Sequence, residues 1–159
     1  MAQTGFMLSD EGRTFSATND SGTTAIFAGD LVYTPTNNDK FTGTAAQARA
    51  SYAISDVLVK SMSLSATGYQ AVVGVALEDI PADGVGAIST EGIWFHAAGA
   101  DTEAGAQVMG GTTVNKVVPV TVATTTVTAA VANAGRYKIG KAITGGSADG
   151  KYILWKLSI

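Results

Sequence analysis

The chain has 159 residues, of which 46% are hydrophobic and only 14% charged, with 19 glycines, one histidine and no cysteine. Its net charge of −3 is uneven: residues 1–116 hold 5 basic and 12 acidic side chains, whereas Arg136, Lys138, Lys141, Lys151 and Lys156 stand against Asp149 alone in residues 117–159. The lack of cysteine excludes a disulfide scaffold and thiolate metal sites, no apolar run reaches the roughly 18 residues of a membrane span, and the positive charge is too dilute and too poor in Arg for a nucleic-acid groove.

Residues 1–24 are polar and rich in Gly, Ser, Thr and Asn, with Phe6, Met7, Leu8 and Phe15 as the candidate anchors. Such a segment buries too little apolar area to offset its own ordering, so an extended N-terminal arm is expected, ordering against a partner through those four residues or remaining a loose terminus. The opening MAQTGFMLSDEGR lacks the basic patch and apolar core of a secretory signal, so a protein kept soluble is expected. Residues 25–33 (AIFAGDLVY) read as the first strand, with a bulge or turn at Gly29-Asp30. Residues 34–42 form a loop around Pro35 and Asn37-Asn38-Asp39.

Residues 45–53 (AAQARASYA) have helix propensity but no apolar stripe, so at most one short helix is expected there. In residues 54–65, Leu58, Met62 and Leu64 alternate with serines, the pattern of a strand with one solvated face. The stretch Val72–His96 follows and reads as the central hairpin. Tyr69, Ala71, Val73, Val75 and Leu77 share one parity, residues 78–84 turn at Pro81 and Gly84, and residues 87–96 return with Gly92 marking a bulge or close approach. A further strand is expected over 106–109.

The tract 112–135 is Thr-, Val- and Ala-rich, and Pro119 makes it an edge strand. With Lys116 its only charge, such an edge is sticky, and pairing with a neighbouring subunit would resolve it. Val118, Val120 and Val122 are the interface candidates there. Residues 137–143 precede a Gly-rich loop, and residues 151–157 close the chain with Ile153, Trp155 and Leu157 on one face and Tyr152, Leu154 and Lys156 on the other. Bulk on both faces suits a small barrel or a subunit interface, which adds Trp94 and Trp155 to the interface candidates. The expected architecture is all-β: a small barrel or sandwich of short strands, with a flexible arm over 1–24 and a single β domain over 25–159.

No catalytic set emerges. His96 follows Trp94-Phe95 at a strand end, where a structural role is expected, and no G-x-S-x-G motif supplies a nucleophile. Glu78 and Asp79, as neighbours on a strand, point to opposite faces and are expected to end it rather than share acid–base work. Asp79, Asp83, Asp101 and Glu103 lack the spacing of an oxygen-ligand metal loop. The paired glycines at 110–111 and 145–146 lack the Lys-Ser/Thr of a phosphate loop. No cofactor is expected. The low charge, against roughly 25% in typical soluble domains, leaves a surface either partly buried in an assembly or solvated by Thr and Ser hydroxyls. The charge polarity steers the chain onto a charged surface, helps subunits meet head to tail, or is a solvated face.

Three blocks, AGDLVY (28–33), VVGVALEDIPADGVGAISTEGIWFHAAGADTEAGAQV (72–108) and YKIGKAITGGSADGKYILWKL (137–157), together resemble the head decoration, or cement, proteins of tailed bacteriophages. The resemblance implies a compact β domain that, commonly as a homotrimer, sits on the outer capsid surface of a virion assembled in the host cytoplasm. There it would clamp the major capsid protein, often through its arm. A tail- or fibre-associated β module and a carbohydrate-binding or adhesion module are the alternatives. Trp94 and Trp155 lie in strands rather than loops, which weighs against the last.

Overall fold

The computed structural model describes residues 5–9, 13–34, 57–61, 72–111, 115–120, 138–147 and 150–159. Among them the protein is all-β, with eleven short strands: β1 (Gly5–Ser9), β2 (Thr14–Asn19), β3 (Leu31–Tyr33), β4 (Leu58–Ser61), β5 (Val72–Ala76), β6 (Val85–Ser89), β7 (Glu91–Ala98), β8 (Gln107–Gly110), β9 (Lys116–Pro119), β10 (Lys138–Ala142) and β11 (Tyr152–Ser158). The helix expected near 45–53 lies outside the described residues.

The strands close into two small barrels in succession. The first runs β2-β4-β3-β5-β6 and back to β2. The second runs β7-β9-β8-β10-β11 and back to β7, with β1 added on the free part of β7. Read this way, the two barrels have one topology. Each begins with a strand that pairs in parallel with the third of its five, β2 with β4 and β7 with β9, while every other pairing is antiparallel.

The registers match as well. Thr18 lies beside Leu58 as Ala97 lies beside Lys116. Tyr33 faces Val72 and Val32 faces Gly74, skipping Val73, just as Met109 faces Lys138 and Val108 faces Gly140, skipping Ile139. Both barrels therefore carry a bulge at the same place. The isolated bridge Ile26–Ile80 recurs as Thr102–Gly146. Gly29 and Gly105, at φ 87° and 86°, occupy the same left-handed turn, and each donates its N–H to the corresponding alanine, Ala76 or Ala142. Traces of the repeat survive in sequence, where Ala28-Gly29-Asp30-Leu31-Val32 echoes Ala104-Gly105-Ala106-Gln107-Val108 and Gly74-Val75-Ala76-Leu77 echoes Gly140-Lys141-Ala142-Ile143. The fold is an internal duplication.

Each barrel has its own interior. Ala17, Ile26, Val32, Val59, Ala76, Ile80 and Ile88 fill the first, with Phe15, Val57 and Val73 half-buried against them. Trp94, Val108, Val117, Ile139, Ile153, Trp155 and Leu157 fill the second, and Leu31, Val72 and Val75 of the first barrel join that cluster from outside. The barrels are thus docked through an apolar row on the outer face of β3 and β5.

Three local expectations change here. Residues 14–19, expected in the arm, are a barrel strand, because β2 finds partners on both sides in β4 and β6, and Phe15 is half-buried against the first core. In β5 the bulge at Val73 breaks the single parity, so Val72 and Val75 face the second barrel while Val73 and Ala76 face the first. The expected return strand 87–96 is two strands, β6 and β7, with Thr90 passing from one barrel to the other. Residues 25–159, expected to form a single domain, hold β3 to β11, and the first barrel takes β2 from outside that range.

Gly140 shows how tight the closure is. A Cβ there would meet the backbone carbonyl of Lys156, which a rotamer change cannot move aside. Gly140→Ala is expected to destabilise the protein by about 2 kcal/mol or more, read as a lower urea midpoint, whereas Val85→Thr at a position 55% exposed should leave the midpoint within about 0.5 kcal/mol of wild type.

Candidate functional site

Buried polar chemistry concentrates where the two barrels meet. The turn Phe27–Leu31 of the first barrel reaches the end of the second, and every polar atom it brings is answered. The Gly29 carbonyl receives a hydrogen bond from His96 Nε2 at 2.8 Å, and His96 Nδ1 accepts one from the Trp155 indole N–H at 3.1 Å. An indole nitrogen only donates, so Nδ1 must carry a lone pair and Nε2 the proton, which makes His96 the neutral Nε2–H tautomer. Asp30, 1% exposed, accepts from the Phe27 N–H at 3.1 Å and the Ser61 hydroxyl at 2.8 Å through Oδ2, and from Asn115 Nδ2 at 2.6 Å through Oδ1. Asn115 Oδ1 in turn accepts the Leu31 N–H at 3.1 Å.

The titration of His96 is clearly displaced. Complete burial pushes its pKa down from 6.5 to about 4, and the bond to the Gly29 carbonyl offsets only part of that. A second proton at Nδ1 would also confront the Trp155 N–H. The histidine is therefore a fixed hydrogen-bonding strut rather than a proton carrier at neutral pH.

The remaining candidates are spread apart. Glu78 and Asp79 do not act together: Glu78 Oε1 accepts the Ala87 N–H at 2.9 Å across the turn it closes, and Asp79 Oδ1 accepts the Ala28 N–H at 2.8 Å. An open cleft of about 440 Å³ lies between the loops at Asp101–Glu103 and Gly145–Ser147. Its Thr102 hydroxyl is taken by the Ala100 carbonyl. Among the described residues no three His, Asp or Glu side chains converge on a metal position.

Trp94 and Trp155, named as interface candidates from the sequence, are 2% and 0% exposed inside the second barrel, where their bulk fills a closed ring of strands. Val118 and Val120 are half-buried at and just beyond β9, and Val122 lies outside the described residues. The edge expected from Pro119 is in fact held on both sides over its first residues, by β8 and by the parallel pairing of Lys116 and Val117 with β7. Phe6, Met7 and Leu8 lie in β1, which runs antiparallel along β7 with Phe6 opposite Phe95 and Met7 opposite Trp94. The Asp30–Asn115 and Gly29–His96–Trp155 networks had no signal in local sequence, because their partners are 59 to 85 residues apart.

No protein-family model matches the chain, and no curated protein matches it. Among solved structures it is similar to the N base of the head fibre gp8.5 of bacteriophage phi29, at 14% identity and a TM-score of 0.47 over 92% of this chain and 93% of that one.

Two outcomes are expected from this junction. Asp30→Ala strands three donors and should cost about 3 kcal/mol in urea unfolding. Below pH 6.5 the unfolded chain binds a proton at His96 that the native chain refuses until pH 4. Stability contributed by this residue therefore falls as the pH drops through that window, by about 3 kcal/mol in all, and levels off below it. Comparing urea unfolding at pH 7 and pH 4 should show that His96→Gln, with nothing to titrate, loses this part of the slope.

Proposed function

We propose that the chain is a non-enzymatic virion structural protein that binds the outer surface of a phage capsid and stabilises the major capsid protein lattice, working as a homotrimer. The observation that carries the reading is where the family-like blocks fall. Residues 28–33 hold the junction turn and β3, residues 72–108 run from β5 into β8, and residues 137–157 span β10 and β11. What resembles the decoration proteins is thus the framework of both barrels and the joint between them. The buried polar groups at that joint, Asp30, His96 and Asn115, are committed to holding it, which supports a protein that acts through its surfaces. In this reading β1, with Phe6, Met7 and Leu8, is the capsid-contacting arm, since among the described strands it is the one outside both ring closures.

The test is binding to expanded capsids that lack the protein. Wild type should co-sediment with them and raise their resistance to heat, and no binding at any concentration would sink the proposal. Deleting residues 1–9 should leave both barrels folded by circular dichroism and weaken capsid binding by about tenfold or more; unchanged binding would remove the arm from the account. Deleting residues 1–20 instead removes β2 and should unfold the first barrel.

A further inference from the structure

The duplication gives each surface of one barrel a counterpart on the other. Leu31, Val72 and Val75 form the outward row by which the first barrel docks on the second, and all three are buried. Their counterparts by register are Gln107, Lys138 and Lys141, and all three are exposed. The shared bulge matters here, since skipping Ile139 turns Lys138 and Lys141 to the same side although they are three residues apart. Lys156, directly across from Lys141 on β11, is exposed too. Like charges directly opposite one another are unfavourable on a sheet surface. The second barrel therefore carries a second copy of the docking face, rewritten from apolar to cationic.

The reverse change has occurred at the loop after β5. There the first barrel exposes Glu78, Asp79 and Asp83, where the second has Thr144, Gly145 and Gly150. At two of these three positions the turn forms without a charge. The Thr144 hydroxyl accepts the Leu154 N–H at 2.9 Å in the place where Glu78 accepts the Ala87 N–H, and Gly150 takes the left-handed conformation that Asp83 holds at φ 59°. In a chain with so few charged residues, an acidic loop on one repeat and a cationic face on the other are complementary patches.

We propose that the Gln107–Lys138–Lys141 face receives the Glu78–Asp79–Asp83 loop of a second copy of this chain, joining copies head to tail. Because the two patches differ, the contact is heterologous and closes into a ring where the rotation between copies permits. The proposal stands independently of the capsid reading and supplies the surface by which subunits of a trimer would meet.

Sedimentation velocity on the full chain tests it. Self-association should weaken by about tenfold or more between about 50 mM and about 500 mM NaCl, as screening removes the charge pairing. Lys138→Glu/Lys141→Glu should abolish it. Glu78→Gln/Asp79→Asn/Asp83→Asn, which keeps the oxygen acceptors of the loop, should do the same while preserving the circular dichroism spectrum. Zero-length carbodiimide coupling followed by mass spectrometry should join Lys138 or Lys141 to Asp79 or Asp83 between copies. A monomer at every salt and concentration, or an oligomer that neither variant disturbs, overturns the proposal. An oligomer with these properties that ignores capsids would instead defeat the capsid reading and leave this one standing.

Discussion

One backbone carbonyl, that of Gly29, is the point on which the two halves of the molecule turn. It leaves the first barrel from a left-handed residue, enters the second, and is met there by a histidine whose other nitrogen is held by Trp155. A buried carbonyl without a partner costs about 1–3 kcal/mol, so the docked arrangement depends on a donor being present at that position. A charged imidazolium would break the second bond of the strut. Burial keeps His96 neutral at physiological pH and so secures both bonds together. Asp30 and Asn115 do the same work beside it, and Leu31, Val72 and Val75 add the apolar contact around them.

That joint also explains how a repeated unit became one protein. Two barrels of the same strand order and register differ at the surfaces by which repeats meet. Where the first presents Asp30 and Leu31 to its neighbour, the second has Ala106 and Gln107; where the second answers with Asn115, the first has Val57. Inside the barrels three positions are unchanged. Val32 and Val108, Val59 and Val117, and Ala76 and Ala142 match, whereas Ile26 and Ile80 correspond to Thr102 and Gly146 and Ile88 corresponds to Trp155. The surface sites of divergence are where binding is to be sought.

Much of the local structure was legible. The strands at 72–76 and 152–158, the turns at residues 81–84 and 99–105 and the strand-ending use of Glu78 and Asp79 all follow from alternation and from turn chemistry that acts over a few residues. His96 as a structural residue also followed from its place directly after Trp94-Phe95. The fate of the tryptophans did not. Bulk on both faces of residues 151–157 reads equally as barrel interior or subunit contact, and only the closure of β7 through β9 placed Trp94 and Trp155 inside. The apolar parity of 69–77 misled for a related reason, since a bulge of one residue reassigns faces without altering composition.

By itself the sequence determined an all-β chain of short strands, free of disulfides, with charge sorted unequally along its length. These properties follow from composition and from interactions between near neighbours. Only the tertiary structure decided that the strands close into two matching barrels, that Thr90 is the crossing point, and that Gly29, Asp30, His96, Asn115 and Trp155 meet. Ring closure and docking are set by pairings between residues far apart in the chain, and no local pattern encodes which of many similar Val-, Ala- and Gly-rich strands will be neighbours.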